Sequence, residues 1–345
     1  MSWIVFIIAL LLSILWGIMF LRQLKSGLTS TALDDKFTWG LYVQGFFFFS
    51  AIAGGILIFL AVATLFEVET LAPLVEIGAA VSFSCLVAAG LLLGSDLGKP
   101  FRGMKILSGR NFASPMTWDF YMLSICALLN ILFLLGLVPA KGALTTIWSL
   151  LCLMAALGFV MIHTLFFLSR VGAGFRSQPF LGLDTLAQSL WGGMALINLI
   201  ALSSGMKPLY LVKLLLILTA LVLIPLIGNH IAFLSNKRKG FDQKKILGLD
   251  LLILIILVLI LAFAPESTSL LTITSLLILF AVFLEKSHLI RQYQTKPTLP
   301  LPYSRYEEVP DYAPTSSEWA LALGSAGVCV LLSSVIIYLK AVCFG

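Results

Sequence analysis

The chain has 345 residues, of which 60% are hydrophobic and 11% charged, and its formal net charge is +6. Soluble domains carry about 25% charged and about 45–50% apolar residues, so this composition excludes a water-soluble globular fold. The mean hydropathy of +1.06 predicts instead a protein that crosses a membrane several times.

Long apolar runs predict an all-α polytopic fold, because a helix satisfies its own backbone hydrogen bonds inside a bilayer. A spanning helix needs about 20 apolar residues. Ten segments meet this condition: residues 2–22, 38–66, 71–94, 116–138, 143–170, 182–204, 208–235, 246–264, 270–291 and 318–341. The first is predicted to be a retained helix rather than a signal peptide, since it lacks a basic leading segment and a small-residue cleavage site.

Helices two and six share a faint repeat, with paired glycines at Gly54-Gly55 and Gly192-Gly193. It predicts two consecutive four-helix bundles, helices 2–5 and 6–9, with one flanking helix at each end. Coincidence explains the repeat equally well, because paired glycines are common where membrane helices approach closely. The predicted segments are 1–37 (extra helix and loop), 38–180 (first bundle), 181–292 (second bundle) and 293–345 (Pro-rich loop and last helix).

Basic residues collect on one side of the predicted helices. Eighteen lysines and arginines fall there, including Arg102, Lys237 and Lys286, whereas the other side has only Lys141, Lys207 and Lys340. Because basic residues accumulate in cytoplasmic loops, we predict a protein of the cytoplasmic membrane with both termini outside. The alternative is that these charges dock an acidic partner protein.

The five cysteines lie in apolar stretches without a CxxC motif. An iron–sulfur cluster needs about four convergent thiolates, so the chain is predicted to hold no cluster and no metal. Any cluster is expected on a partner.

Polar residues inside predicted spans are candidates for function, because such groups are costly in hydrocarbon. The clearest are Gln44, Asp119, His163, Lys213 and His230. His163 and His230 each lie seven residues before a basic residue, which puts them at equal depth. The pair fits axial ligands of a b-type haem, a quinone site with a proton-exchanging histidine, or two histidines bonded to neighbouring helices.

A motif between helices three and four is more specific. Residues 95–102 read Ser-Asp-Leu-Gly-Lys-Pro-Phe-Arg, and residues 111–118 read Asn-Phe-Ala-Ser-Pro-Met-Thr-Trp. This combination resembles the NrfD and polysulfide reductase membrane-subunit family, in its ten-helix branch. Supporting stretches lie at residues 39–42, 53–55, 162–164 and 312–318, so the resemblance covers about residues 36–340.

The resemblance implies two four-helix bundles that carry neither haem nor iron–sulfur cluster, with a quinone, expected to be menaquinone, in the first bundle. Gln44, His163 and Asp119 match its polar quinone-site positions, with His163 and Asp119 expected to transfer protons. Trp118, Tyr121 and the phenylalanines 46–49 are expected to supply apolar walls.

The resemblance also implies a partner subunit with iron–sulfur clusters that usually joins a catalytic subunit, sometimes molybdopterin-dependent. Asp96, Lys99 and Arg102 are expected to face it, and no nucleic acid is expected. In familiar relatives the quinone side faces the periplasm, whereas the basic loops here predict that it faces the cytoplasm. The chain is therefore expected to be a flipped relative, with the opposite orientation in the membrane. The alternative function is an ion-coupled secondary transporter, which ten helices with buried Lys213 and Asp119 also fit.

Overall fold

A computed structural model describes residues 3–34, 37–68, 71–98, 100–103, 105–109, 111–139, 141–170, 179–203, 205, 209–235, 243–263, 267–294 and 312–343. Lys99 lies outside these residues, as do the side chains of Arg102, Arg170 and His230.

Ten long helices confirm the predicted all-α fold. They are α1 (Trp3–Ser26), α2 (Leu41–Leu65), α3 (Ala72–Asp96), α4 (Pro115–Leu134), α5 (Ala143–Arg170), α6 (Leu181–Ser203), α7 (Leu209–Ser235), α8 (Gln243–Phe263), α9 (Thr268–Gln294) and α10 (Ser316–Cys343). Within the described residues, nine are long and apolar enough to cross a membrane, and α8 contributes the shorter apolar stretch Ile253–Phe263. The chain is therefore a multi-pass helical membrane protein.

The helices pack as two groups that contact each other at several places. Helices α2 to α5 pack on one another, α6 to α9 do the same, and α2 packs on α6. Helix α1 packs on α10, which packs on α3. The segment boundaries at residues 37, 180 and 292 stay a prediction.

The paired glycines of the suspected repeat meet at the contact between α2 and α6. A Cβ atom on Gly193 would lie 2.6 Å from the backbone nitrogen of Ile56, and one on Gly55 would overlap the carbonyl oxygen of Ser189. Only glycine permits backbones to approach this closely. The repeat therefore has a packing role, whatever its origin.

The motif between α3 and α4 forms a compact connector. Gly98 follows α3 with a φ of +60°, a left-handed conformation that favours glycine. Two single-turn helices follow, Pro100–Gly103 and Lys105–Ser108. Helix α4 begins with Ser114 as N-cap residue and Pro115 in its first turn, where proline loses no hydrogen bond.

The predicted position of Lys286 in a loop was wrong. Lys286 was assigned to the basic loops, but it lies inside α9, where its side chain is 3% exposed. Helix α9 continues past Lys286 to Gln294, because the apolar residues Leu289 and Ile290 beyond it are buried against the bundle.

Candidate functional site

A cavity of about 190 Å³ lies between α2, α3, α4 and α5, at the end of the first helix group where the connector lies. Its wall is largely apolar. The lining residues are Trp39, Val43, Phe46, Phe47, Gly90, Leu93, Gly94, Asp96, Leu97, Pro100, Gly103, Ile106, Met116, Asp119, Phe120, Leu123 and Phe166. Two carboxylates, Asp96 and Asp119, interrupt this apolar wall.

Asp119 is paired with His163 behind the cavity wall. The Nε2 atom of His163 lies 3.3 Å from Oδ1 of Asp119, and the two residues are 1% and 4% exposed. A buried carboxylate is costly without a partner, and the imidazole, when protonated, supplies the opposite charge. The structure thus brings together the two residues predicted to transfer protons.

Three phenylalanines surround His163. Its ring centroid lies 4.9 Å from that of Phe47, 5.0 Å from Phe159 and 6.0 Å from Phe46. All three contacts are edge-to-face, a favoured geometry for aromatic rings. The rings of Phe46 and Phe47 also line the cavity. His163 therefore reaches the cavity through Asp119, which is on the wall.

Asp96 also faces the cavity, at the end of α3. Its Oδ1 atom is buried and has no hydrogen-bond partner within the described part of the chain. Sequence analysis assigned Asp96 to the partner interface. That role stays a prediction, as do those of Lys99 and of the Arg102 side chain, which fall outside the described part.

Gln44 does not line the cavity. It is buried on α2, and its amide nitrogen lacks a hydrogen-bond partner among the described residues. Helix α2 turns Val43, Phe46 and Phe47 to the cavity, whereas Phe48 contacts Phe283 of α9. Gln44 lies three residues before Phe47 and four before Phe48, so it lies between these two faces.

Trp118 and Tyr121 form an aromatic cluster with Phe112 beside the cavity rather than in its wall. The three ring centroids are 6.2 to 6.4 Å apart. The indole nitrogen of Trp118 donates a hydrogen bond to the Phe112 carbonyl, and Trp118 is 41% exposed. Their predicted contact with a quinone stays a prediction.

The backbone of Trp39 is held at the cavity by hydrogen bonds that were not predicted from the sequence. The backbone nitrogen of Trp39 donates to Oε1 of Gln294 at 2.8 Å, and Nε2 of Gln294 donates to the Trp39 carbonyl at 2.9 Å. The indole ring then packs on Phe166, with 5.0 Å between centroids. A glutamine at the predicted end of a helix gave no signal for this long-range contact.

A second set of hydrogen bonds that was not predicted from the sequence stabilises the first turn of α2. The Leu41 nitrogen donates to the hydroxyl of Tyr312 at 2.8 Å, and this hydroxyl donates to Glu318. Glu318 also accepts from the backbone nitrogens of Ala32 and Thr315. Burial and the bond to Glu318 raise the pKa of Tyr312 above its usual range. The stretch 312–318 therefore ties α10 to the start of α2.

These features define a class: a helical membrane protein with a buried acid–imidazole pair beside an apolar cavity. The family model described as "Polysulphide reductase, NrfD" matches residues 29–297, which is most of the chain. The chain therefore belongs to the NrfD polysulphide reductase family.

A curated relative is a protein of Halobacterium salinarum that is described as a putative membrane subunit of dimethyl sulfoxide reductase. It is 28% identical over 202 residues, or 52% of this chain. The match spans 46% of the relative, so this chain matches about half the length of that protein.

Proposed function

We propose that this chain is the quinone-interacting membrane subunit of a respiratory oxidoreductase complex. It exchanges electrons between the membrane quinone pool, expected to be menaquinone, and an iron–sulfur partner subunit. That partner in turn connects to a catalytic subunit, for which a molybdopterin enzyme is one candidate. The single observation that carries the proposal is Asp119, which faces an apolar cavity and is paired with buried His163.

The cavity fits a quinone ring by its chemistry. Aromatic side chains from α2, α4 and α5 provide flat apolar walls, and ligand sites combine such walls with a few polar groups that fix orientation. The volume of about 190 Å³ is below the roughly 300–1,000 Å³ of sites for whole drug-sized ligands. The proposal therefore places the ring in the cavity and the isoprenoid tail among lipid.

A bound quinone supplies two-electron, two-proton redox chemistry, and the chain supplies the proton path. In the direction of quinol oxidation, Asp119 accepts a proton from a hydroxyl group of the ring. His163 then takes this proton from Asp119 and becomes an imidazolium beside the restored carboxylate. In the direction of quinone reduction, the same two residues deliver the proton.

Asp96 is the second acid on the cavity wall. Its Oδ1 atom lacks a partner in the described part of the chain, and a ligand hydroxyl would satisfy it. Proton exchange at the two ring oxygens is thus divided between Asp119 and Asp96. Gln44, which does not line the cavity, is not required to touch the ring.

Helix continuity favours this function over the secondary transporter. Transporter sites are typically built on helices broken at the bilayer midplane. Helix α7 continues from Leu209 to Ser235 through Pro225, and the two glycine pairs join α2 and α6 at one packing contact.

The test is purification from the native membrane, with the co-purifying proteins, extractable quinone, the visible spectrum and quinol oxidation measured on one sample. We expect iron–sulfur and catalytic subunits, bound quinone and no b-type haem bands. A lone polypeptide without quinone would overturn the proposal. An Asp119→Asn variant should lose quinol oxidation, whereas Glu76→Gln, the same kind of change at an exposed carboxylate on α3, should keep it.

A further inference from the structure

A second buried ionisable group lies in the other helix group. Lys286 is on α9, eight residues before the helix ends at Gln294, which is roughly 12 Å along the helix axis. Its side chain is 3% exposed. An ionisable residue inside a bilayer is rare and usually functional, and the quinone proposal gives Lys286 no role.

Asp184 on α6 and Glu285 on α9 are acidic residues that interact electrostatically with Lys286. Oδ1 of Asp184 accepts a hydrogen bond of 2.9 Å from Nε2 of Gln188. Further along α9 lie His288 and Arg291. Lys286 thus has acidic partners on two elements.

Helix α2 packs on both α5, which carries His163, and α9, which carries Lys286. On one face of α2, Phe46 and Phe47 contact His163. On the other face, Phe48 contacts Phe283 of α9, with 5.7 Å between ring centroids. Lys286 follows Phe283 by three residues, close to one turn. Charges on opposite sides of one helix interact strongly in a low-dielectric interior.

The second helix group also carries buried polar atoms that lack hydrogen-bond partners among the described residues. They are Oε1 of Gln188, Oδ1 of Asn198 and Oγ1 of Thr274. Asn198 is further tied to Ser275 of α9 by a 3.0 Å hydrogen bond. Buried polar atoms of this kind are commonly satisfied by internal water, and internal water conducts protons.

We infer that Lys286 is a proton-carrying residue and that this chain moves a proton through its second helix group during quinone turnover. Lys286 alternates between the ammonium and the neutral amine. In the first step the ammonium gives its proton to water in the helix group. In the second step the amine takes a proton from the opposite side, and no electron is transferred at Lys286.

The driving event rests on the proposed function. Quinol oxidation leaves an imidazolium at His163, and this positive charge repels the Lys286 ammonium across α2, which favours proton loss. Release of the proton from His163 removes the repulsion, and Lys286 is protonated again.

The experiment uses the whole complex in proteoliposomes, with quinol oxidation and the internal pH recorded together. Lys286→Met and Lys286→Arg should both keep the rate of quinol oxidation within about threefold of the parent. Both should lose the proton movement that exceeds the protons released by quinol itself. Arginine keeps the charge but stays protonated, so restored proton movement in Lys286→Arg would overturn the proposal and assign Lys286 a structural role. Lys213→Met, a lysine on α7 with an exposed side chain, is the control.

Two further measurements test the proposal even if the single variants do not fold or the proposed function is wrong. The double variant Asp184→Asn/Lys286→Gln removes the buried lysine together with the carboxylate on α6, and it should fold and oxidise quinol without proton movement. Proton release after an alkaline pH jump, measured on the detergent-solubilised complex without quinol, should fall in Lys286→Met and stay unchanged in Lys213→Met. Equal release from all variants would overturn the proposal, even if the complex does not oxidise quinol.

Discussion

His163 and Asp119 lie 44 residues apart in the chain, and their Nε2 and Oδ1 atoms are 3.3 Å apart in the first helix group. Asp119 lies in the second turn of α4, close behind the Pro115 start, and His163 lies seven residues before the end of α5. Because α4 and α5 are antiparallel neighbours, these two positions meet at the same depth.

Asp119→Asn tests the role of the acid in proton transfer. The amide keeps the shape of the side chain but cannot accept the proton, so quinol oxidation should fall roughly 100- to 10,000-fold, the usual contribution of a general base. The rate is measured on the purified complex with a soluble quinol. A rate within a few-fold of the parent would remove Asp119 from the mechanism.

His163→Leu tests the buried pair without reference to activity. It leaves the Asp119 carboxylate buried without its partner, which destabilises more than loss of the pair as a whole. The double variant Asp119→Asn/His163→Leu should therefore unfold at a higher temperature than His163→Leu alone. A double-mutant cycle should give a coupling of about 0.5–3 kcal/mol, and additive effects would contradict the pairing.

Gly193→Ala tests the contact between α2 and α6. The added methyl group would lie 2.6 Å from the Ile56 nitrogen, so the helices must separate, at a cost of about 1–3 kcal/mol. Gly17→Ala in α1 is the matched control, because no atom lies within 4 Å of the position of its Cβ. Thermal unfolding in detergent should separate the two variants, and equal stability would argue against the contact.

Tyr312→Phe tests the support of the start of α2. It removes the hydroxyl that accepts from Leu41 and donates to Glu318, which should cost about 1–3 kcal/mol because buried partners lose their bonds. Tyr338→Phe, at a tyrosine that is largely exposed, should have little effect. Differential scanning calorimetry provides the comparison.

The raised pKa of Tyr312 predicts a pH dependence of this contribution. The folded state holds the hydroxyl neutral more strongly than the unfolded state. The stabilisation is therefore complete below the ordinary tyrosine pKa of about 10 and is lost as the pH rises through the raised value. Tyr312→Phe should lose less stability than the parent in that alkaline range.

Cysteine accessibility tests the orientation in the membrane. We expect Arg102→Cys to react with a membrane-impermeant reagent only from the cytoplasmic side, and Lys141→Cys only from the outside. The four native cysteines whose side chains are described are buried, so background labelling should be low. Reaction of Arg102→Cys from outside would end the hypothesis of a flipped relative.

The ten helices were predictable because the signal is local. The α5 prediction, residues 143–170, matches the observed helix at both ends, and other ends shifted by up to four residues. Residues 111–118 likewise predicted the proline-led start of α4. Lys286 was assigned to a basic loop, although the predicted helix 270–291 continues past it, because a lysine near the end of an apolar run is typical of the membrane interface. The packing of α9 shows that its side chain is buried.

Composition and apolar runs determined that this chain is a helical membrane protein, and its motifs determined the family, because both depend on residues close together in sequence. The tertiary structure decided which polar residues share a site. Neighbouring residues on a helix point about 100° apart, so Val43 can line the cavity while Gln44 does not. That rotation is set by packing between helices, such as the glycine contact of α2 with α6, and no single segment contains it.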